Sequence, residues 1–141
     1  MSRLLCMIAP VLALGVLPAE PVAAQASRPA AHEIRLIADA GKDEYRFEPA
    51  TLTVRPGDAI VFRVASGAPH SVVFEGDGMS PGVRGSFNAA MPSRSGDLSS
   101  PLLTAAGKEY RMVVPQVPAG TYGFYCLPHR AYDMRGSIQI Q

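Results

Sequence analysis

From Ile34 to Ile140, apolar side chains recur at every second position, in short runs separated by turns rich in glycine and proline. A period of two sends successive side chains to opposite faces of a strand, so this pattern demands a sheet with one face buried. Ile34 and Leu36 flank Arg35. Leu52 and Val54 alternate with Thr51, Thr53 and Arg55. Ile60, Phe62 and Val64 alternate with Val61 and Arg63, and Val72 and Phe74 share a face with His70. Tyr110, Met112 and Val114 alternate with Arg111; Tyr122, Phe124 and Cys126 form a further set, and Ile138 and Ile140 the last. Turn chemistry separates the runs at Pro56-Gly57-Asp58, Ser66-Gly67-Ala68-Pro69, Ala106-Gly107-Lys108 and Pro118-Ala119-Gly120. Glycine and proline occur 13 times each, too often for a helical bundle. The spacing predicts an all-β sandwich. Residues 75–107 break the rhythm; they read as irregular strand or a short helical turn near Ser99–Thr104.

The N-terminus reads differently. Arg3 precedes an apolar run from Leu4 to Leu17, and small residues follow as far as Ala24-Gln25-Ala26. A positive start, an apolar middle and an A-x-A end predict a secretory signal peptide over residues 1–26. The run is too short for a comfortable membrane span, and no other long apolar stretch exists, so no stable membrane insertion is expected. Residues 27–33 read as a flexible lead-in, with His32 as a solvated side chain. Residues 34–141 form a single domain. Export removes one basic and one acidic residue, Arg3 and Glu20, so the net charge stays at +1. Nothing in that balance points to nucleic acid or an anionic surface.

Cysteine usage is more informative. Of two cysteines, Cys6 leaves with the signal, and Cys126 has no partner for an internal disulfide. A lone thiol in an oxidising compartment is protected by burial or by a metal. Its neighbours decide between these. Cys126, His129 and Met134 form C-x2-H-x4-M, and His70 lies upstream on its own strand. Taken singly, each is unremarkable: a strand histidine, a loop methionine, a small buried cysteine. Together they supply a thiolate, two imidazoles and a thioether, the set of a blue-copper site with a trigonal Cys-His-His plane and a weak axial methionine. Soft sulfur favours Cu(I) while imidazole also serves Cu(II). A thioether in fourth place argues against structural zinc.

Several segments carry a family resemblance. "PHSVVF" at 69–74, "GTYGFYCLPH" at 120–129 and "FEPATLTVRPGDAIVF" at 47–62 resemble the cupredoxins, and among them the plastocyanins. Pseudoazurins share the C-x2-H-x4-M spacing. The resemblance implies a cupredoxin-like Greek-key β-sandwich binding one copper ion that cycles between Cu(I) and Cu(II), with His70, Cys126, His129 and Met134 as metal ligands. It also implies that His129 sits near the surface in an apolar patch supplied by Ala68, Pro69, Leu127, Pro128 and Tyr132. Tyr125 would face outward and offer a second electron route. Three departures stand out. Ser71 replaces an asparagine that bridges to the cysteine loop in the family. "HRAYDM" is bulkier and more charged than the glycine-rich plastocyanin loop. Only Glu75, Asp77 and Asp97 stand where plant plastocyanins carry acidic clusters.

The functional expectation is an exported, most simply periplasmic, one-electron carrier. It would act as a monomer and dock transiently near His129 with redox proteins such as a cytochrome or a copper enzyme. Copper storage or delivery is the alternative, although such carriers favour Met-rich or His-rich exposed ligands. An enzyme is not expected. Three histidines cannot furnish a second copper site, and no G-x-S-x-G, HExxH, P-loop or Rossmann fingerprint occurs. A catalytic Cys126–His129 pair would leave His70 and Met134 unexplained.

Overall fold

The computed structural model describes residues 28–141; the signal peptide expected over 1–26 lies outside the described residues. The alternating runs become strands. These are β1 (Ala31–Asp39), β2 (Glu44–Glu48), β3 (Thr51–Val54), β4 (Ala59–Val64), β5 (Val73–Phe74), β6 (Glu109–Val113), β7 (Gly120–Tyr125) and β8 (Arg135–Ile140). They assemble into two four-stranded sheets, β2-β1-β4-β6 and β3-β8-β7-β5. Each sheet is mixed: β1 runs parallel to β4 and β3 parallel to β8, while the other pairs are antiparallel. The fold is the all-β sandwich expected from the alternation.

The inward positions are those of the period-two pattern. Ile34, Leu36, Ile60, Phe62, Met112, Phe124 and Ile138 are buried, and Arg35 and Arg111 are exposed. Phe124 of β7 sits at the centre. Its ring meets Phe47 and Phe62 from the first sheet edge-on at 4.8 and 5.5 Å, and Phe74 from its own sheet at 5.6 Å. Edge-to-face aromatic contacts add directional attraction to buried apolar area. They anchor β7 two residues before Cys126, which is buried.

Four features differ from the sequence reading. The strand β1 begins at Ala31, inside the supposed 27–33 lead-in, and pairs from Ala31↔Ala59 onward with β4. The cause is Asp58, a buried carboxylate that accepts from the Ala30 N–H at 2.8 Å and the Arg55 N–H at 3.0 Å. His32 Nε2 lies 3.1 Å from the same carboxylate, so His32 is a fastened side chain rather than a solvated one.

A helix, α1 (Pro81–Ala90), occupies the segment read as irregular. Ser80 caps it by accepting from the Val83 N–H at 3.4 Å, and Pro81 fills the first turn, where no hydrogen-bonded N–H is needed. Gly82 and Gly85 dilute its helical preference, and only Phe87 is buried, between Phe74 at 4.7 Å and Tyr122 at 4.9 Å. Val83 and Ala90 pack against the core on either side of Phe87, so the inward stripe is short and made largely of small side chains. Arg84 and Asn88 tie the helix to Asp97 at 2.8 and 2.7 Å. Of the two readings of Ser99–Thr104, the structure favours irregular strand: Ser99 and Leu103 form isolated bridges with Val73 and His70.

The strand β2 is not among the expected runs, although Tyr45 and Phe47 alternate with Glu44, Arg46 and Glu48; Phe47 is buried and Tyr45 packs beside it against the core. Finally, regular pairing near His70 is confined to Val73–Phe74. His70 itself forms an isolated bridge with Leu103, through N–H to O=C bonds of 3.0 and 2.8 Å in the two directions.

Candidate metal centre

Two separate segments deliver the site: the loop between β7 and β8, and the stretch between β4 and β5. Cys126 follows β7 directly. His129 lies in the turn after it, ahead of a 3-10 turn at Arg130–Tyr132. Met134 comes just before β8; its carbonyl accepts from the Cys126 N–H at 3.0 Å, which closes the loop onto its own base. Asp133 makes that closure possible by adopting the left-handed conformation, φ 55° and ψ 35°. Aspartate tolerates this region better than most residues, and its carboxylate accepts from Arg135 Nε at 2.8 Å. A bulky, charged loop thus makes a turn that glycine makes more easily. His70 arrives 56 positions upstream through the Ser66–Pro69 turn. Gly67, at φ +66°, passes so close to β1 that a Cβ would lie 2.2 Å from the Ala38 carbonyl oxygen.

The side chains converge. Cys126 Sγ is 3.6 Å from His70 Nδ1 and 3.5 Å from His129 Nδ1. All three atoms fall within 4.8 Å of one another. Metal bonds of about 2.3 Å to sulfur and about 2.0 Å to nitrogen, meeting at a trigonal or tetrahedral angle, span about 3.6 Å. Cys126, His70 and Met134 are fully buried and His129 is half-buried. The tautomer of His70 follows from its partner. Nε2 lies 2.7 Å from the Ser66 carbonyl oxygen, which only accepts, so Nε2 carries the proton and Nδ1 keeps its lone pair toward the sulfur.

Burial sets the protonation states. It pushes the Cys126 thiol up, opposed by the backbone N–H groups of Ser71 and His129 and by the Ser71 side chain. Burial pulls His70 down; its bond to Ser66 opposes this, and the neighbouring His129 adds to the fall. Burial also pulls His129 down. Both imidazoles therefore favour the neutral, ligating form, and a metal ion must displace the thiol proton as it binds. Ser71 supplies the cross-link expected where the family carries asparagine. Its Oγ accepts from the Leu127 N–H at 3.1 Å, and its own N–H points at Cys126 Sγ at 3.5 Å.

A sequence model of the copper binding proteins of the plastocyanin/azurin family matches residues 33–141. The chain belongs to that family. Plastocyanin from Lactuca sativa is 38% identical over 94 residues, covering 67% of this chain and 86% of the relative. Plastocyanin from Nostoc punctiforme is 34% identical over 116 residues, covering 78% and 73%. Among solved structures, oxidised plastocyanin from Dryopteris crassirhizoma superposes with a TM-score of 0.61 at 26% identity, covering 77% of this chain and 99% of that one. A Sinorhizobium pseudoazurin reaches 0.52 at 19% identity, covering 79% and 74%, a likeness of fold alone. Copper is therefore the metal of this cupredoxin, and its donor set fits: a softer or harder ion would waste either the imidazoles or the sulfurs.

The surroundings of the site add residues that the sequence did not single out. Tyr45 of β2 lies 5.2 Å from the His129 ring and stacks on Tyr132 at 4.0 Å. Leu102, next to the Leu103 that bridges to His70, is 56% exposed. The expected patch residues Ala68, Pro69, Leu127, Pro128 and Tyr132 are all exposed. Tyr125, beside the cysteine, is half-buried under two guanidinium groups, Arg130 at 4.7 Å and Arg135 at 5.9 Å from its ring. Arg135 in turn pairs with Glu75 and Asp133.

Proposed function

We propose that this cupredoxin is an exported one-electron carrier, with copper held by His70, Cys126, His129 and Met134, working in the periplasm between protein redox partners. The observation that carries the reading is the convergence of both Nδ1 atoms on one buried Sγ. Copper supplies the electron chemistry by alternating between Cu(I) and Cu(II). The chain supplies a fixed cage: His70 is oriented by Ser66, Cys126 by Phe124 and Ser71, and the loop by its Cys126–Met134 closure. A cage that need not rearrange lets an electron enter or leave with little cost. His129 is the half-buried member of the set, so its ring is the shortest way out.

Docking follows from the surface around it. Leu102, Leu127 and Tyr132, three of the four large apolar side chains that are most exposed among the described residues, lie in segments that bear or pair with the candidate ligands. A small apolar face suits brief redox encounters. Ligands on exposed flexible chain would favour copper delivery; this set is compact and buried. His70, Cys126 and His129 are the group of three or more metal-ligating side chains close enough to share a metal ion among the described residues. No helix among them is long and apolar enough to cross a membrane. The proposed division is a removable segment over 1–26 and a domain that starts with β1.

The test is the visible spectrum of the oxidised, copper-loaded protein. An intense thiolate-to-copper band, with reversible one-electron reduction, is expected. A stoichiometric copper complex with neither the band nor a reversible couple would sink the proposal.

A further inference from the structure

The two histidines are held by different means. The His70 ring is buried and locked by its bond to Ser66 at 2.7 Å. The His129 ring is half-buried, and among the described residues no protein group hydrogen-bonds its Nε2. Its backbone is fixed, with N–H donating to the Cys126 carbonyl at 3.2 Å and its carbonyl accepting from Tyr132 N–H at 3.1 Å. Those bonds do not set the ring's rotation. On the site side the ring meets Cys126 Sγ at 3.5 Å and the His70 ring at 4.8 Å; the other rings against it are Tyr45 at 5.2 Å, tilted 43°, and Tyr132 at 6.5 Å, tilted 54°. Tyr45 and Tyr132 themselves stack at 4.0 Å and 12°.

We propose that Tyr45 and Tyr132 are positioning residues for His129, an aromatic clamp that does for its ring what the Ser66 carbonyl does for His70. The proposal rests on the reading of His129 as a copper ligand. Tyr45 stands opposite Ala38 in the β1–β2 pairing, so its place is set by the sheet and not by the loop. Tyr132 ends the 3-10 turn that His129 begins. The stack therefore ties the ligand loop to the opposite sheet beside the His129 ring. Offset aromatic contacts have a preferred geometry, whereas aliphatic replacements fill space without one.

Tyr45→Phe, Tyr45→Leu and Tyr132→Leu test this. Transfer of Cu(I) to a chelator should accelerate about tenfold in both leucine variants and stay within about twofold of the parent in Tyr45→Phe, as for other groups that orient a ligand from outside the coordination shell. In the metal-free protein, NOEs between the His129 and His70 rings, 4.8 Å apart, should weaken in Tyr45→Leu and persist in Tyr45→Phe. Parent-like transfer and parent-like NOEs in the leucine variants would overturn the clamp. Tyr132 is 54% exposed, so its replacement spares the fold and carries the test if Tyr45→Leu does not fold. An unchanged thiolate-to-copper band in His129→Ala would instead remove the ligand reading on which the clamp depends.

Discussion

The two ends of β4 solve the burial of polar groups in opposite ways. At its start, the Asp58 carboxylate is enclosed by the N–H groups of Ala30 and Arg55 and by His32. Beyond its end, about 20 Å away at strand rise, the Ser66–Pro69 turn presents His70 to Cys126 and His129, and the donor atoms face one another. Burying a polar group without a partner is costly. At the first end the chain supplies every partner itself, and the result is a clasp for the N-terminal strand. At the second end it gathers ligand atoms whose best partner is a metal ion. Matching burial with opposite local chemistry separates a structural site from a functional one.

Cys126→Ser breaks the contrast most completely. We expect the thiolate-to-copper band to vanish and copper affinity to fall by more than about 100-fold, beyond the range for an outer-shell change. The unfolding midpoint of the metal-free protein should be nearly unchanged, since serine fits the volume. Retention of the band would show that the sulfur is not a ligand.

Gly67→Ala strikes the turn that delivers His70. The positive φ and a Cβ 2.2 Å from the Ala38 carbonyl oxygen should cost about 2–3 kcal/mol in denaturant titrations. The spectrum of the copper form should shift as well, because Ser66 holds His70 from within that turn. A stable variant with an unaltered spectrum would mean the turn is not needed to place the ring.

Asp58→Asn probes the other end. The Ala30 and Arg55 N–H groups, then His32, hold the Asp58 carboxyl below its ordinary value. A depressed carboxyl stabilises the fold above the unfolded-state value of about 3.9, and the contribution fades as pH falls through the folded-state value. The parent should therefore exceed Asp58→Asn by about 1–2 kcal/mol at neutral pH, with the gap closing below about pH 4. A gap that is constant with pH would show that charge plays no part in the clasp.

Arg63→Ala should matter least. Arg63 bridges Glu33 at 3.0 Å and Glu109 at 2.6 Å across three strands, but these groups are nearly half exposed. Exposed ion pairs gain little over water, so no resolvable change in midpoint is expected. A clear loss would show that the outer face of the first sheet is cooperatively held.

The sequence was most legible where information is local. Period-two runs announced most strands, and the helix was missed because its inward stripe, Val83, Phe87 and Ala90, is short and two glycines interrupt the segment. Its Ser80-Pro81 start was nonetheless a readable signal. The alternation of Tyr45 and Phe47 with Glu44, Arg46 and Glu48 was a readable signal for β2, but it is only five residues long and three of them are charged. His32 looked like part of a loose terminus because its partner, Asp58, lies 26 residues on.

What the chain alone determined is the alternation that requires a sandwich and the C-x2-H-x4-M spacing that gathers three donor types on one loop. Both depend on residues a few positions apart, whose relation the backbone fixes. Only the tertiary structure decided that His70 reaches Cys126 with Nδ1 forward, that Tyr45 lies against His129, and that His32 closes on Asp58. Those contacts join distant segments, and they exist because strand register and inter-sheet packing place them, which no local pattern encodes.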